Sequence, residues 1–403
     1  MEFEVLIIGT DINAYYMARC YHEAYGRKAK MIGKQPMAFT SCSKIIDLMI
    51  EPNLWDPEVF KKTLEDFALQ HQGKKLILIG TNDTYVRLIV ENRDFLSKYY
   101  LFNYVDLDLL NNLLIKDCFY TYFSDSILDF PKTFIYSCIT KPEIPDMFPY
   151  PLILKPGDSV MYSECDFPSK SKVYKIKSKD ELYETIRLIE DSGYTGNLII
   201  QEFIPGDDSA LFDSMFYCNT KKKTQIMTFA QIGLQEHTNT GIGNCTVLVN
   251  GYDEHGYKEE NVYKLKEFLE SIGYQGFAEF DIKYDMRDGK YKVLEINPRQ
   301  SRSAYYLAAC GYNLVKTLVD DLVYGKEHEP VLLRDKIVLS FVPKAVIRKY
   351  VVNPKLKAEI KRLIKKGKIV DPLYYKKDLP LKRRIYLFLR DINYRRKYKK
   401  YKW

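Results

Sequence analysis

Several features that would assign a protein to a familiar class are missing from this sequence. The longest apolar run, Ala304 to Tyr312, has about half of the roughly 18 residues that a membrane-spanning helix requires. The first residues, Met1 to Glu4, show neither the basic segment nor the cleavage site of a signal peptide. We therefore expect a cytoplasmic protein with no membrane-spanning helix.

Paired cysteines and nucleic-acid-binding signatures are missing too. The eight cysteines include no CxxC pair, which favours free, packed thiols over a zinc or redox site. No zinc finger, RNP or KH pattern occurs. Positive charge is concentrated in one segment: Lys376 to Trp403 carries a net charge of +10, and the total of +8 leaves −2 for the rest. Nucleic acid is therefore not expected as a partner.

The chain has 403 residues, enough for two or three globular domains of roughly 150 residues each. An apolar run from Val5 to Asp11 ends in a glycine turn before a helical pattern, and a similar unit spans Lys75 to Asp83. Such units predict a parallel α/β sheet with ligands at the carboxyl ends of its strands, near Gly9 and Gly80. Neither turn is a GxGxxG or Walker A motif, so no nucleotide site is predicted there, while a small anion at the helix after Gly9 is an open option.

The sequence pattern changes at Pro131, where prolines alternate with short apolar runs and one helical pattern. This pattern predicts a compact α+β segment. Lys155 ends one of these runs, between Leu154 and Pro156. A lysine buried there needs an anion, and a nucleotide phosphate is a natural one. The alternative is an edge-strand lysine whose ammonium reaches water.

A β-hairpin is the most informative element of the sequence. The segments Phe277 to Asp285 and Lys290 to Asn297 alternate in polarity, and Gly289 suits the left-handed position of a three-residue loop. Such a loop pairs Met286 with Lys290. Counting back from that pair places Asp281 opposite Glu295 and Glu279 opposite Asn297, all on one face.

Facing carboxylates repel unless a cation lies between them, and Mg²⁺ that also binds nucleotide phosphates satisfies that requirement. Arg299 and Arg302 follow the hairpin and add positive charge where phosphate or carboxylate would bind. The alternative is a solvated acidic face with no metal.

Taken together, these residues resemble the ATP-grasp superfamily of carboxylate–amine ligases, from Val5 to about Gly325. The resemblance implies an α/β fold with an α+β lid. It also implies four parts: a parallel-sheet pre-ATP-grasp domain (1–110), a lid or N-terminal ATP-grasp subdomain (111–205), a C-terminal ATP-grasp subdomain (206–330), and an extension with a basic tail (331–403).

The resemblance also implies roles for individual residues. Lys116 and Lys155 would bind the nucleotide phosphates, and Arg299, Arg302 and Lys155 would be catalytic. The remaining implied positions are Gln201, Glu202, Phe203 and Ile204 for the adenine, Asp208 for the ribose, and Asp281, Glu295 and Asn297 for Mg²⁺. Glu279 departs from the pattern, because some members carry an arginine there, so that charge would have to come from Arg299 or Arg302.

Within the superfamily the chain is most similar to the bacterial D-aspartate ligases of peptidoglycan cross-bridge synthesis. The similarity is carried by short segments: Gly9 to Asn13, Met17 to Arg19, Phe203 to Ser209, Ile242 to Asn244, Gly276 to Asp281, Lys283 to Asp285, Arg287 to Gly289, Glu295 to Asn297, Arg299 to Gln300 and Arg302 to Ser303. It implies an ADP-producing enzyme that joins the β-carboxylate of D-aspartate to the lysine side-chain amine of UDP-MurNAc-pentapeptide through an acyl phosphate. An arginine among Arg19, Arg299 and Arg302 would bind the α-carboxylate of the donor.

Several alternatives stay open. The same chemistry could serve another amino acid or a cell-surface polymer, or the chain could be an inactive nucleotide-binding regulator. His237, in a polar loop from Gln235 to Asn244 that would cover the intermediate, is either the general base or a surface histidine without a role.

The basic tail has two possible placements. Ile385, Phe388, Leu389 and Ile392 have helical spacing between cationic flanks, which suits an anionic membrane surface at the inner face of the membrane. Alternatively, these residues pack on the core. If the tail served only the membrane, the soluble reaction would survive its removal after Leu381.

Overall fold

Three β-sheets organise the protein, which we describe from a computed structural model. The structure describes residues 2–146, 149–238 and 241–401, apart from the side chains of residues 159 and 160. The first sheet is parallel, the second is antiparallel, and the third is mixed. This arrangement confirms the predicted α/β class with an α+β middle segment.

The first sheet holds five parallel strands with helices between them. In chain order its elements are β1 (Phe3–Ile8), α1 (Ile12–Tyr25), β2 (Ala29–Gly33), α2 (Ala38–Ser41), β3 (Ile46–Ile50), α3 (Pro57–Gln70), β4 (Lys75–Gly80), α4 (Asp83–Glu91), α5 (Arg93–Leu96) and β5 (Tyr100–Leu101). The strand order is β3-β2-β1-β4-β5. The apolar runs of the sequence become β1 and β4, which lie side by side at the centre of this sheet.

Helix caps explain where the helices of this sheet begin. The Asp11 carboxylate accepts the N–H of Ala14 at the start of α1, and Asn82 accepts the N–H of Tyr85 at the start of α4. Helix α1 ends at Gly26, whose φ of 68° is left-handed. The Asp11 carboxylate thus occupies one of the free N–H groups at the helix end considered above as an anion site.

The second sheet is antiparallel and has a small core of its own. It follows α6 (Leu107–Leu114) and α7 (Lys116–Tyr122) and contains β6 (Thr133–Ser137), β7 (Leu152–Pro156), α8 (Ser159–Glu164), β8 (Tyr174–Ile176), α9 (Lys179–Asp191) and β9 (Asn197–Glu202). The strand order is β6-β9-β7-β8. Helix α9 buries Leu182, Ile186 and Ile189 in that core, at the spacing of one helix face.

The third sheet carries the predicted hairpin. After a short 3₁₀ turn (Asp208–Ala210) the elements are β10 (Leu211–Cys218), β11 (Thr224–Met227), β12 (Ala230–Gln235), β13 (Cys245–Asn250), α10 (Glu259–Ser271), β14 (Gly276–Asp285), β15 (Lys290–Asn297), α11 (Tyr305–Ala309), α12 (Leu314–Leu322), β16 (Val331–Leu332), β17 (Val338–Ser340), α13 (Lys344–Tyr350), α14 (Pro354–Lys365), β18 (Ile369–Val370) and α15 (Leu381–Lys400). Its main path is β15-β14-β10-β12-β13-β17-β18, and β11 joins β10 to β16. Strands β16, β17 and β18 belong to residues 331–403, which were expected to form an extension. Helix α6 crosses the domain boundary expected at residue 110. The four-part division therefore remains a proposal.

The hairpin has the predicted carboxylate register but a different turn. Asp281 pairs with Glu295 and Glu279 pairs with Asn297, whereas Lys290 pairs with Asp285 and not with Met286. Four residues therefore make the connection, with Gly289 left-handed at a φ of 73°. A β-bulge at Leu294 inserts one extra residue between the two ends and restores the register at the carboxylates.

Helix α15 packs on the molecule through a face that the sequence pattern did not predict. Its buried residues are Arg383, Leu387, Arg390, Tyr394 and Tyr398. Leu381, Ile385, Phe388 and Leu389 are instead 71%, 52%, 63% and 57% exposed. The segment from Ile385 to Ile392 therefore does pack on the core, as one of the two placements expected, but through Leu387 and Arg390 and not through Ile385, Phe388 or Leu389. None of the helices formed by the described residues has the length and apolarity to cross a membrane.

A buried arginine fastens this helix to the first sheet's layer. The Arg383 guanidinium lies 3.6 Å from the ring centroid of Tyr15 and donates hydrogen bonds to the carbonyls of Phe39 and Leu373. Its Nε lies 3.6 Å from a carboxylate oxygen of Asp378, and both side chains are fully buried. The same carboxylate accepts the Tyr15 hydroxyl at 2.9 Å.

We predict that Arg383→Met lowers the free energy of unfolding by about 3 kcal/mol, because it leaves a buried carboxylate without its cation. Urea denaturation followed by circular dichroism would measure the change. Arg384→Met, at the exposed neighbouring position, is the matched control and should unfold as the wild type does. Equal urea midpoints for the two variants would contradict the anchoring role of Arg383.

Candidate active site

Four carboxylates and one amide converge on one face of the third sheet. Asp213, Asp281 and Glu295 form one row across β10, β14 and β15, and Glu279 pairs with Asn297 in the next. The structure therefore brings Asp281, Glu295 and Asn297 together. Asp213 was missed in the sequence, although a lone carboxylate within the apolar run of β10 was a usable signal.

Asp213 is held by hydroxyl groups rather than by cations. It is 1% exposed and accepts hydrogen bonds from the Ser303 hydroxyl and, at 2.8 Å, from the Tyr306 hydroxyl. Burial raises its pKa despite these bonds. Ser303 lies next to Arg302, so this network also fixes the chain that leaves the hairpin.

The carboxylates of the hairpin, Glu279, Asp281 and Glu295, differ in their pKa. Desolvation and neighbouring carboxylates raise the pKa of Asp281 and Glu279 well above their usual range. The Lys116 ammonium, 3.2 Å from Glu295, lowers the pKa of Glu295 to about 2. The pKa of Asp281 is therefore raised and that of its neighbour Glu295 is lowered, because the Lys116 ammonium contacts Glu295.

These donors suit Mg²⁺, although they do not form a complete metal cage. Carboxylate and amide oxygens are hard ligands of the kind that Mg²⁺ prefers. In the part of the chain that the structure describes, no group of three or more His, Cys, Asp or Glu side chains is arranged to hold a metal. The Asn297 amide, which donates to Glu279 at 3.1 Å, and phosphate oxygens would have to complete the set.

Two lysines from different elements face the carboxylates. Lys116 begins α7, and Lys155 lies on β7 with only 8% of its surface exposed. The Lys155 ammonium donates to the Tyr120 hydroxyl at 3.2 Å, and Tyr120 donates in turn to the carbonyl of Leu294, at the bulge, at 2.6 Å. Burial, followed by the charge of Lys116, lowers the pKa of Lys155 to about 7. An anion bound here would restore its charge.

The segment expected to bind adenine ends β9 beside the hairpin. The Gln201 amide donates to Thr133 at 2.8 Å, and Ile204 is 3% exposed. The Phe203 ring has lysine ammonium groups 4.1 and 5.3 Å from its centroid, from Lys175 and Lys283.

The Glu202 carboxylate is already engaged. It lies 3.1 Å from Lys292 and 2.8 Å from Arg287, both in the hairpin, and accepts the N–H of Lys132 at 2.9 Å. Its side chain thus joins the second sheet to the third.

Asp208 contacts the polar loop that follows β12. It accepts the Gln235 backbone N–H at 3.0 Å and the Gln235 amide at 2.8 Å, and its Oδ2 lies 2.8 Å from the His237 Nε2. His237 is only 13% exposed, so it is not a bare surface histidine. Residues 239 and 240 of the expected covering loop lie outside the described residues.

The two candidate arginines face different parts of the molecule. Arg299 forms an ion pair with Asp83 at 2.6 Å and lies 3.3 Å from the Asn297 amide oxygen. Arg302 forms an ion pair with Glu236 at 3.0 Å and donates to the Tyr394 hydroxyl at 2.9 Å. Glu236 and Tyr394 come from distant segments, so no local pattern predicted that they contact Arg302.

Arg19 lies away from this group. It pairs with Glu23 at 2.8 Å and donates to the carbonyls of Asp371 and Pro372. Only 8% of its surface is exposed. Arg19 therefore fastens the C-terminal segment to α1 and is not a candidate for binding the donor carboxylate.

Comparison with known proteins gives one match over nearly the whole chain. The D-aspartate ligase of Enterococcus faecium (strain Aus0004) is 32% identical over 414 aligned positions, covering 99% of this chain and 97% of that protein. No protein-family model matches the chain.

Solved structures of much lower identity share the fold. The L-amino acid ligase from Bacillus licheniformis has a TM-score of 0.57 at 13% identity, over 80% of this chain and 74% of that one. An ADP complex of N5-carboxyaminoimidazole ribonucleotide synthetase has a TM-score of 0.59 at 14% identity, over 83% and 80%. These likenesses confirm the expected ATP-grasp fold.

We predict that ATP binding weakens as pH rises above 7, by up to about tenfold per unit, because Lys155 must take up a proton to pair with phosphate. Titration with a non-hydrolysable ATP analogue between about pH 7.5 and 9 avoids protonation of the nucleotide itself. Lys155→Gln should bind more weakly and without this slope.

Lys177→Gln is the matched control, since Lys177 is an exposed lysine of the same sheet region. It should keep the slope of the wild type. A wild-type affinity that stays constant over this pH range would contradict the lowered pKa of Lys155.

Proposed function

The chain belongs to the D-aspartate ligase family of ATP-grasp enzymes, and on that basis we propose its substrates and its site. It is an ATP-dependent carboxylate–amine ligase, an enzyme that forms a carbon–nitrogen bond. We propose that it joins the β-carboxylate of D-aspartate to the lysine side-chain amine of UDP-MurNAc-pentapeptide in the cytoplasm. The proposed donor is supported by the 32% identity over 99% of the chain.

The proposed active site is carried by one observation above all. Lys155 is 8% exposed and forms no ion pair among the described residues. It faces two carboxylates and an amide that are suited to Mg²⁺, from Asp281, Glu295 and Asn297. A phosphate chain between them would satisfy both sides. Lys116 and Lys155 would bind phosphate oxygens, and Asp281, Glu295 and Asn297 would hold the metal.

Activation of the carboxylate is the difficulty that this site would solve. A carboxylate does not condense with an amine in water, because its oxygen is a poor leaving group. Transfer of the γ-phosphoryl group of ATP to the carboxylate oxygen gives an acyl phosphate and ADP, and the amine then displaces phosphate. Bound Mg²⁺ would neutralise charge on the phosphate oxygens.

The arginines have separate proposed roles in these steps. Arg299, between Asn297 and Asp83, faces the metal donors and would stabilise charge on the transferred phosphoryl group. Arg302 would bind the donor's α-carboxylate or the oxyanion that forms when the amine attacks. Gln201, Glu202, Phe203 and Ile204 would surround the adenine, and Asp208 the ribose.

Two alternatives remain for the same fold. The donor could be another amino acid, or the acceptor another amine such as a cell-surface polymer. A regulator without turnover is disfavoured, because Lys155, Asp281, Glu295 and Asn297 are all present and adjacent.

We predict that D-aspartate and ATP yield ADP, and that hydroxylamine traps an aspartyl hydroxamate. L-Aspartate should react far more slowly, because an arginine bound to the α-carboxylate orients one enantiomer. ADP, phosphate and hydroxamate assays with a panel of D- and L-amino acids, with and without the muropeptide precursor, measure this. Accumulation of AMP would exclude the acyl phosphate, and equal rates for both enantiomers would exclude D-aspartate specificity.

The same assay tests the site. Lys155→Ala and Glu295→Ala should each reduce turnover about 100-fold or more, since water cannot replace the charges removed. Glu329→Ala, at an exposed position, is the control for loss of a carboxylate and should keep full turnover. Near-normal turnover in either site variant would refute the assignment.

We also propose that α15 binds an anionic membrane surface, which would bring the enzyme to the inner face of the membrane. Its exposed apolar ridge consists of Leu381, Ile385, Phe388 and Leu389, and exposed cations flank it at Lys382, Arg384, Arg395, Arg396 and Lys399. An apolar ridge between cations suits the headgroup region of anionic lipids.

We predict that the protein sediments with phosphatidylglycerol vesicles at low salt, and that Phe388→Glu with Leu389→Glu weakens binding about tenfold. Leu69→Glu, at an apolar residue 51% exposed on α3, is the control and should bind as the wild type. Unchanged sedimentation of the double variant would exclude the ridge. Truncation after Leu381 is unsuitable, because it also removes the buried Tyr394 and Tyr398.

A further inference from the structure

Three segments that are far apart in the chain meet at Arg302. Arg302 follows β15, Glu236 follows β12, and Tyr394 lies on α15. The Arg302 Nη2 lies 3.0 Å from a Glu236 oxygen and 2.9 Å from the Tyr394 hydroxyl, and that hydroxyl donates to the same Glu236 oxygen at 2.7 Å. Glu236 and Tyr394 are 8% and 6% exposed. The three groups therefore form a closed, largely buried triangle.

The triangle determines how the guanidinium is oriented. The Arg302 Nε is buried and has no hydrogen-bond partner among the described residues. Its planar group packs 5.3 Å from the ring centroid of Phe341. The orientation of the Arg302 guanidinium within its plane therefore depends on the two contacts of Nη2, with Glu236 and with the Tyr394 hydroxyl.

The location of the hydroxyl is in turn set by α15. Tyr398, one turn further along the helix, donates to the carbonyl of Gln235 at 2.7 Å, next to Glu236. Lys397 lies 3.8 Å from Glu236, and Arg383 anchors the first turn of the helix. The helix is thus fixed on both sides of Tyr394, which a loosely attached tail would not be.

From this geometry we infer that Tyr394 is a positioning residue for the ligase reaction, acting through Glu236 and Arg302. The inference rests on the proposed role of Arg302 and extends it to the C-terminal helix. It also reverses the expectation that turnover survives removal of the tail after Leu381, because the tail supplies a partner of a catalytic arginine.

Tyr394→Phe tests the inference, because it removes only the hydroxyl. We expect kcat for amino-acid-dependent ADP release to fall about tenfold, with the KM for ATP and the melting temperature unchanged. Tyr386→Phe is the matched control: its ring packs on Phe39 elsewhere on the same helix. It should keep the kcat of the wild type. A wild-type kcat in Tyr394→Phe would overturn the inference.

A double-mutant cycle distinguishes positioning from general packing. In an Arg302→Ala background, Tyr394→Phe should cause no further loss, because its effect passes through the guanidinium. An equal further loss in that background would overturn the inference. Glu236→Gln serves as a second variant and should likewise be non-additive with Tyr394→Phe.

The comparison uses whichever amino acid the wild type turns over best. A donor other than D-aspartate would refute the proposed donor and leave the comparison of variants valid. The panel of amino acids therefore tests the proposed donor, and the comparison of variants separately tests the positioning role of Tyr394.

Discussion

Repulsion among the carboxylates of β10, β14 and β15 is the constraint on which the rest of the site depends. Asp213, Asp281 and Glu295 lie in one row, and Glu279 lies beside them. Such a group is stable only with hydroxyl donors, shared protons or cations around it. The hydroxyls come from the segment after β15, and the cations come from α7, β7 and the residues beyond the hairpin. Charge compensation therefore brings the second and third sheets together, and the ion pair of Arg299 with Asp83 adds helix α4 of the first sheet.

The same cations are the groups to which the proposed reaction assigns the binding of phosphate and carboxylate. Lys116 and Arg299 are each paired with a carboxylate, whereas Lys155 donates to the Tyr120 hydroxyl and forms no ion pair in the part of the chain that the structure describes. The site therefore contains two kinds of cation, those in an ion pair and one without. Paired cations maintain the structure before substrate arrives, and the unpaired one gains most from a bound phosphate.

Local patterns predicted most of the elements and the central pairs of the site. Asp281 was correctly predicted to lie opposite Glu295, but only because the bulge at Leu294 offsets the wrongly predicted turn. The apolar run correctly indicated that Lys155 is buried. Contacts between distant segments were not predictable in this way. Asp213 on β10, Glu236 after β12 and Tyr394 on α15 reach the site only through tertiary packing, which no local periodicity encodes. The sequence left two placements of the apolar stripe on α15 open for the same reason, since a helix pattern identifies an apolar face but not what covers it.

The bulge at Leu294 has a consequence for how this enzyme can change over evolutionary time. The turn of the hairpin is one residue longer than the simple register allows, and the bulge takes up the difference before the strands reach Glu295. The Tyr120 hydroxyl holds the bulged carbonyl in place. A change of one residue in the turn can thus be absorbed between the turn and the rows of carboxylates. The length of the turn is in this way separated from the carboxylate register, whereas Arg287 and Lys292 of the outer hairpin stay constrained by their ion pairs with Glu202.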